Sequence, residues 1–361
     1  MSQRDERRHR RDDDTTEPSR FFDGGDARGA RKTQQICKEV LRTLSRSTTE
    51  LLTLVTPLRE AYRARWERTL IDWSELWTKA GCPLPALPTA GAWLKQTMTS
   101  TGATAVLMID ALRYDLGVTL ASQINRQEGT ERAIVMPARA PLPSITALGM
   151  GMALPLNEQD TTAEVIDGRW HLIEKNSQLD LSIAEKRRAW LRTRKIVDEE
   201  GIIPLNDVVR GNVPRPGKSR MAVVITDDLI DQLGHDDELE LSGAGAVLER
   251  YRTAITQLRD AGWRRVLIVT DHGYIHWAGN DDKRLTPSIA NPPYRARRAL
   301  AYAASTTLAE PHVLAPGGKW RVLPARGAAS WSAYGKLGYF HGGASLQEWI
   351  IPCIQIEWPS Q

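Results

Sequence analysis

Apolar positions in this chain follow two patterns: short unbroken runs, and longer stretches with three- and four-residue spacing. The run at 264–274, RRVLIVTDHGY, passes through Val266, Leu267, Ile268 and Val269, stops at Thr270 and then presents Asp271 and His272. A β-branched run of this kind predicts a strand buried on both faces, as in a parallel sheet. Two further runs repeat the pattern. Residues 104–110, TAVLMID, end in Asp110, and residues 222–226, AVVIT, lead into DDLIDQLGHDDE. Shorter strands are expected at 133–136 and around 350–356. Helical spacing lies between the runs, at 111–123, within PLPSITALGMGMALP (141–155) and at 244–261, where Gly262 supplies the stop. In the second of these helices Ser144 suits the cap and Thr146 the first turn. Strands alternating with helices predict an α/β domain with a mostly parallel sheet and helices on both faces.

The flanking patterns differ. Residues 1–32 are charged and almost without apolar side chains, which predicts a disordered tail. That tail reads as a solvated arm, with nucleic-acid binding as the alternative. Residues 33–98 form a helical region in which Pro57 is expected to break or kink the run. A stripe of Tyr62, Trp66, Leu70, Trp73 and Trp77 reads as core rather than as a base-stacking platform, and a Pro/Gly linker follows at 81–91. The α/β domain then occupies 99–361. It is interrupted at about 157–219 by a polar stretch without sheet-type runs, read as a cap inserted over the active edge of the sheet. Lys186, Arg187, Arg188, Arg192, Arg194 and Lys195 give that cap a basic face, which reads either as solvated or, through Lys186, Arg187, Arg188 and Arg192, as contacting the distal part of an anionic substrate. Residues 287–325 read as loop, with one strand at 312–314.

Composition adds exclusions. The chain has 361 residues, 41% of them hydrophobic, and 48 Lys and Arg against 44 Asp and Glu leave a net charge of +4. That mild excess is compatible with an anionic substrate and does not demand one. Cys37, Cys82 and Cys353 are far apart, so no disulfide framework is expected and a reduced, cytoplasmic setting fits. No apolar run approaches the ~20 residues needed to span a bilayer. The start, MSQRDERRHRRDDD, lacks the apolar segment of a secretory signal.

Metal-ligating side chains gather at the strand ends. Asp110 ends one strand, Asp231 and His235 follow another at a spacing of four, Asp271 and His272 end a third, and His341 sits in the glycine turn YFHGG. Histidine is scarce, seven in all, and three of the seven fall at these places. The donors divide into two groups. One is Asp231, His235 and His341; the other is Asp110, Asp271, His272 and a hydroxyl from Thr146 or Ser144. Two divalent ions ~4 Å apart are the arrangement for in-line displacement at phosphorus. Mixed imidazole and carboxylate donors favour zinc, with manganese as the alternative.

The order Asp, Ser/Thr, Asp-x-x-x-His, Asp-His, His resembles the alkaline phosphatase superfamily, which includes nucleotide pyrophosphatases, sulfatases and phosphopentomutases. More narrowly, VLMIDALRYD, LPSITALGMGMALP, TDHGY and FHGGASLQEWIIP resemble a PglZ domain, over about residues 105–356. The resemblance implies an alkaline phosphatase-like fold and a two-metal phosphotransfer site. It also implies a place among the partner proteins of a BREX bacteriophage-defence system. A phosphodiesterase or phosphatase acting on nucleotides or nucleic acid is the leading expectation. A scaffold module that keeps the fold and binds other defence proteins is the alternative. A mutase or sulfatase is a third, and the sulfatase version is weakened because no Cys lies at the nucleophile position. One departure bears on the nucleophile. Nucleotide pyrophosphatase relatives carry it two residues before the proline, where this chain has Pro141, which cannot attack. Counting back from Pro155 indicates Thr146, with Ser144 second. PglZ proteins are also longer than this chain, so an N-terminal portion is expected to be missing or replaced.

Overall fold

The computed structural model describes residues 49–98, 103–129, 132–197, 201–216, 221–225, 239–276, 283–332 and 339–359. The chain divides into two compact units, Met1–Tyr62 and Arg63–Gln361, and the second carries the sheet and the candidate site. The first described element, α1 (Thr49–Lys79), continues through Pro57, so of the break or kink expected there the break does not occur. A proline removes one ladder bond and crowds one carbonyl, and the 31-residue helix carries it. Next come α2 (Ala90–Thr97), β1 (Thr104–Ile109), α3 (Tyr114–Glu128), β2 (Ala133–Arg139) and α4 (Thr146–Met152). The polar stretch then supplies β3 (Thr161–Ile166), β4 (Arg169–Glu174), α5 (Ala184–Thr193), β5 (Ile202–Pro204) and α6 (Leu205–Val209). The chain continues through β6 (Met221–Ile225), α7 (Leu239–Asp260), β7 (Arg265–Thr270) and β8 (Ile275–His276). Four short strands follow: β9 (Tyr294–Arg295), β10 (Ala299–Ala303), β11 (Val313–Leu314) and β12 (Trp320–Pro324). It closes on β13 (Tyr339–Phe340), α8 (Leu346–Trp349) and β14 (Ile350–Glu357).

The central sheet has six strands in the order β2-β14-β7-β1-β6-β5. β1 pairs in parallel with β6 and β7, and β5 with β6. Only β14 runs against its neighbours, so the fold is α/β with a mostly parallel sheet. The unbroken apolar runs are explained by burial on both sides. Ala105, Leu107 and Ile109 of β1 and Val266 and Ile268 of β7 pack with Leu248, Tyr251, Ile255 and Leu258 of α7. Val106, Met108, Leu267 and Val269 point the other way and pack with Leu148, Met152, Trp349 and Ile351. Period-two alternation thus divides one apolar run between two cores.

From Trp66 to Trp77 the stripe packs into or against the core, as its spacing predicts. Leu70 and Trp77 are buried, and Trp73 Nε1 donates to the Ala344 carbonyl at 2.8 Å. Trp93 and Leu94 of α2 share a core with Val106 and Val269, so the packed unit begins upstream of residue 99.

Short strands overturn one expectation and extend another. The polar stretch is not strand-free: β3 and β4 form an antiparallel hairpin, and β5 joins the central sheet. Residues 287–325 are loop-rich as expected, and β11 is the strand expected at 312–314, but it is joined by β9, β10 and β12 in a separate four-stranded sheet, order β11-β12-β10-β9. β9 and β11, of two residues each, are too short for alternation to register in the sequence, and ALAYA in β10 carries the alanines of a helix. Among the described residues, no helix is long and apolar enough to cross a membrane. Cys82 and Cys353 are free thiols, and Cys37 lies outside the described residues.

Candidate metal and phosphoester site

The site is built where β1 and β7 end together. Their register sets Ile109 opposite Thr270, so Asp110 and Asp271 emerge side by side. The chain leaving β1 then folds onto the end of β7. Ala111 N–H donates to Asp271 Oδ1 at 2.9 Å, and Leu112 N–H donates to Thr270 Oγ1 at 3.0 Å. Ala111 takes φ +55°, a left-handed conformation costly for a residue with a Cβ. Gly149 lets α4 lie directly on this turn, because a Cβ there would stand 2.6 Å from the Asp271 carbonyl oxygen.

Asp110, Asp271 and His272 are all buried, and each offers one ligand atom within 4.8 Å of the other two. His272 Nδ1 lies 2.9 Å from the Gly273 carbonyl, which can only accept, so Nδ1 carries the proton. The other nitrogen, Nε2, faces oxygen atoms: Thr146 Oγ1 at 3.1 Å, Asp271 Oδ2 at 3.4 Å and Asp110 Oδ1 at 3.9 Å. Asp271 Oδ1 is taken up by backbone N–H groups, whereas Oδ2 is buried and accepts no hydrogen bond. Two carboxylates, an imidazole lone pair and a hydroxyl converging at a largely buried point form a donor set that fits a divalent cation. An imidazole that donates its other N–H to a carbonyl is the orientation expected of a metal-ligating histidine.

Thr146 is the first residue of α4 and half-buried, at the mouth of this cluster. The helix has only seven residues, so its dipole adds little to what the side chains provide. Ser144 does not cap it; Ile145 holds that position without a side-chain bond. Ser144 is instead fully buried, donating from Oγ to the Gly343 carbonyl at 2.8 Å and accepting from Gly342 N–H at 3.2 Å. Its oxygen is occupied by the His341 loop, so the cap expected from sequence is replaced by a long-range staple.

His341 stands against His272. The two imidazoles stack with centroids 4.3 Å apart and planes 8° apart, and His341 Nδ1 lies 3.3 Å from the Ser144 carbonyl. Asp231 and His235, assigned to the same ion as His341, lie outside the described residues.

The four cap cations do not share one environment. Arg187 reaches inward. Burial lowers the pKa of its guanidinium, while the charges of Asp271 and Asp110 hold it up. Its Nη1 is anchored on the carbonyls of Leu181 at 3.0 Å and Ser182 at 2.9 Å. Arg188 is engaged by Glu185 at 2.7 Å, Lys186 is exposed, and Arg192 is half-buried in the last turn of α5.

The sequence reading passed over Arg298 and Glu348, a buried pair behind the His341 loop. A local signal existed for one of them. Ser345-Leu346-Gln347-Glu348 is a capping-box pattern, and Ser345 Oγ does accept Glu348 N–H at 3.3 Å. Nothing local marks Arg298.

The family model for the BREX system PglZ alkaline phosphatase-like domain matches residues 93–356. An alkaline phosphatase-like protein PglZ from Bacillus cereus (strain H3081.97) is 26% identical over 280 residues, 70% of this chain but only 30% of that protein. The chain therefore spans less than a third of the curated relative it matches. Among solved structures, murine ectonucleotide pyrophosphatase/phosphodiesterase 5 is similar with a TM-score of 0.43 at 10% identity, over 72% of this chain and 89% of that one. The human protein of that name gives 0.42 at 8%, over 70% and 87%.

Proposed function

Because the chain belongs to the PglZ family of alkaline phosphatase-like domains, we propose that it is a metal-dependent phosphoric ester hydrolase. In this reading it acts as a phosphodiesterase or phosphatase on nucleotides or nucleic acid within a BREX-type phage-defence system, alongside that system's other proteins. The observation that carries the reading is the convergence of Thr146 Oγ1, Asp110 Oδ1 and Asp271 Oδ2 on His272 Nε2.

Asp110, Asp271, His272 and Thr146 would hold one divalent ion, and Asp231, His235 and His341 a second, with zinc the best match to the donors and manganese next. Such ions supply Lewis-acid charge that lowers the pKa of a bound hydroxyl and stabilises the phosphoryl oxygens in flight. Thr146 Oγ1 then forms the bond to phosphorus as the ester oxygen leaves opposite, and the hydroxyl proton passes to solvent. Water cleaves the resulting threonyl phosphate and restores the side chain. Arg187, held by the Leu181 and Ser182 carbonyls, offers its guanidinium to the phosphoryl oxygens. Burial of Asp110, Asp271 and His272 keeps water away from the ligand cluster and strengthens each charge within it.

The test is metal analysis of protein purified without chelator, paired with a screen of phosphodiesters and phosphomonoesters. Close to two ions per chain and turnover abolished by chelation are expected. A chain that takes up no metal even on zinc addition, and is inactive on every ester, defeats the reading and leaves the scaffold role in its place.

A further inference from the structure

Behind the stacked imidazoles lies a buried ion pair that the proposed chemistry does not use. Arg298 and Glu348 are 1% and 0% exposed. They meet through two bonds, Arg298 Nε to Glu348 Oε1 at 3.0 Å and Nη2 to Oε2 at 2.9 Å. The guanidinium also donates to the Gly327 carbonyl at 2.9 Å and to the Ala329 carbonyl. Glu348 has two more attachments. Its Oε1 accepts the N–H of Gly343 at 2.8 Å, two residues beyond His341. Its backbone carbonyl accepts the N–H of Gly273 at 3.0 Å, one residue beyond His272. One residue thus ties both imidazole-bearing loops, and Arg298 fixes its carboxylate. Ser144 grips Gly342 and Gly343 from the Thr146 side.

A buried ion pair is a weak source of stability, because desolvation consumes most of the attraction and apolar side chains could fill the same space. What apolar side chains lack is a fixed acceptor for the Gly343 N–H. We infer that Arg298 and Glu348 are positioning residues: they hold the His341 loop against the His272 turn in the stacked arrangement, and so set how tightly the site takes its metal. The inference rests on the metal-binding reading of Asp110, Asp271, His272 and His341. Partners of this kind behind metal-ligating histidines change affinity by about 10- to 100-fold.

Zinc affinity of the full chain, measured by chelator competition beside the melting temperature, tests it. Glu348→Ala should weaken zinc binding by about tenfold or more, and Glu348→Gln, which keeps an oxygen for Gly343, should recover most of that loss. Gly343→Ala is an independent probe. A Cβ there would stand 2.7 Å from Glu348 Oε2 and 3.0 Å from Arg298 Nη2, so the loop must shift while the pair remains. It should weaken zinc binding too, and it decides the matter with Glu348→Gln should Glu348→Ala not fold. If the wild type binds zinc and the folded variants bind it equally well with only a lowered melting temperature, the pair is merely structural and the inference alone fails. A wild type that binds no zinc removes the metal reading and this inference together.

Discussion

The ends of β1 and β7 and the cap helix α5 both bring charge to the same pocket, and they do so by different physical means. Asp110 and Asp271 are neighbours because a backbone ladder pairs Thr104 with Arg265 and continues residue by residue to Ile109 and Thr270. Each rung repeats the constraint, so the carboxylates have no freedom to separate. Arg187 arrives from outside that ladder. Its direction is set by the carbonyls of Leu181 and Ser182 and by Trp190 and Leu191, which sink into the core. A few side-chain contacts can be exchanged without disturbing the sheet. The sheet therefore fixes the carboxylate cluster, while on the proposed reading the Arg187 side of the site would leave substrate preference adjustable.

The comparison can be broken most forcefully at the strand-end site. Thr146→Ala should lower kcat by about a thousandfold or more with the protein still folded, since it removes the proposed nucleophile. Ser144→Ala should act on stability instead, costing about 2 kcal/mol, because it strips a buried donor and acceptor from the His341 loop. Steady-state kinetics with thermal melts read both, and a dead Ser144→Ala beside a near-normal Thr146→Ala would reverse the roles.

The cap should give intermediate effects. Losing the Arg187 guanidinium, a charged hydrogen-bond donor within electrostatic reach of both carboxylates, should raise KM by about tenfold in Arg187→Ala. Lys186→Ala should stay within about twofold, since Lys186 points to solvent. Equal effects from the two would mean that the cap acts as one diffuse basic face.

The smallest effect concerns the pair behind the loops. Burial acts to raise the Glu348 pKa, but the charge and bonds of Arg298 and the Gly343 N–H outweigh it and hold the carboxyl below its usual value. A depressed carboxyl contributes its full stability above the unfolded pKa of about 4.3, and loses it as pH falls through the lower folded value. Glu348→Gln should therefore flatten the loss of stability below about pH 4, by at most one proton's worth of slope, about 1.4 kcal/mol per pH unit. Denaturation midpoints at several acidic pH values measure this, and parallel slopes for the two proteins contradict it.

The sequence by itself determined the sheet and the placement of its carboxylates. Val266 to Val269 and Ala105 to Ile109 are apolar on both faces, and a sheet covered by helices on both sides buries both. A polar residue directly after such a run must fall at the strand's carboxyl end, so Asp110, Asp271 and His272 were legible from spacing alone. Thr146 was legible as a helix-start hydroxyl. Its 3.1 Å approach to His272 was not, because 126 positions separate the two and the close packing depends on the missing Cβ of Gly149. Ser144 carried a local signal for a cap, which lost to two bonds with a loop 198 and 199 positions away. The stacking of His341 on His272, the inward turn of Arg187 and the Arg298–Glu348 pair were decided by tertiary structure. Each depends on segments brought together by core packing, and hydrophobic periodicity reports which face is buried but not what meets it there.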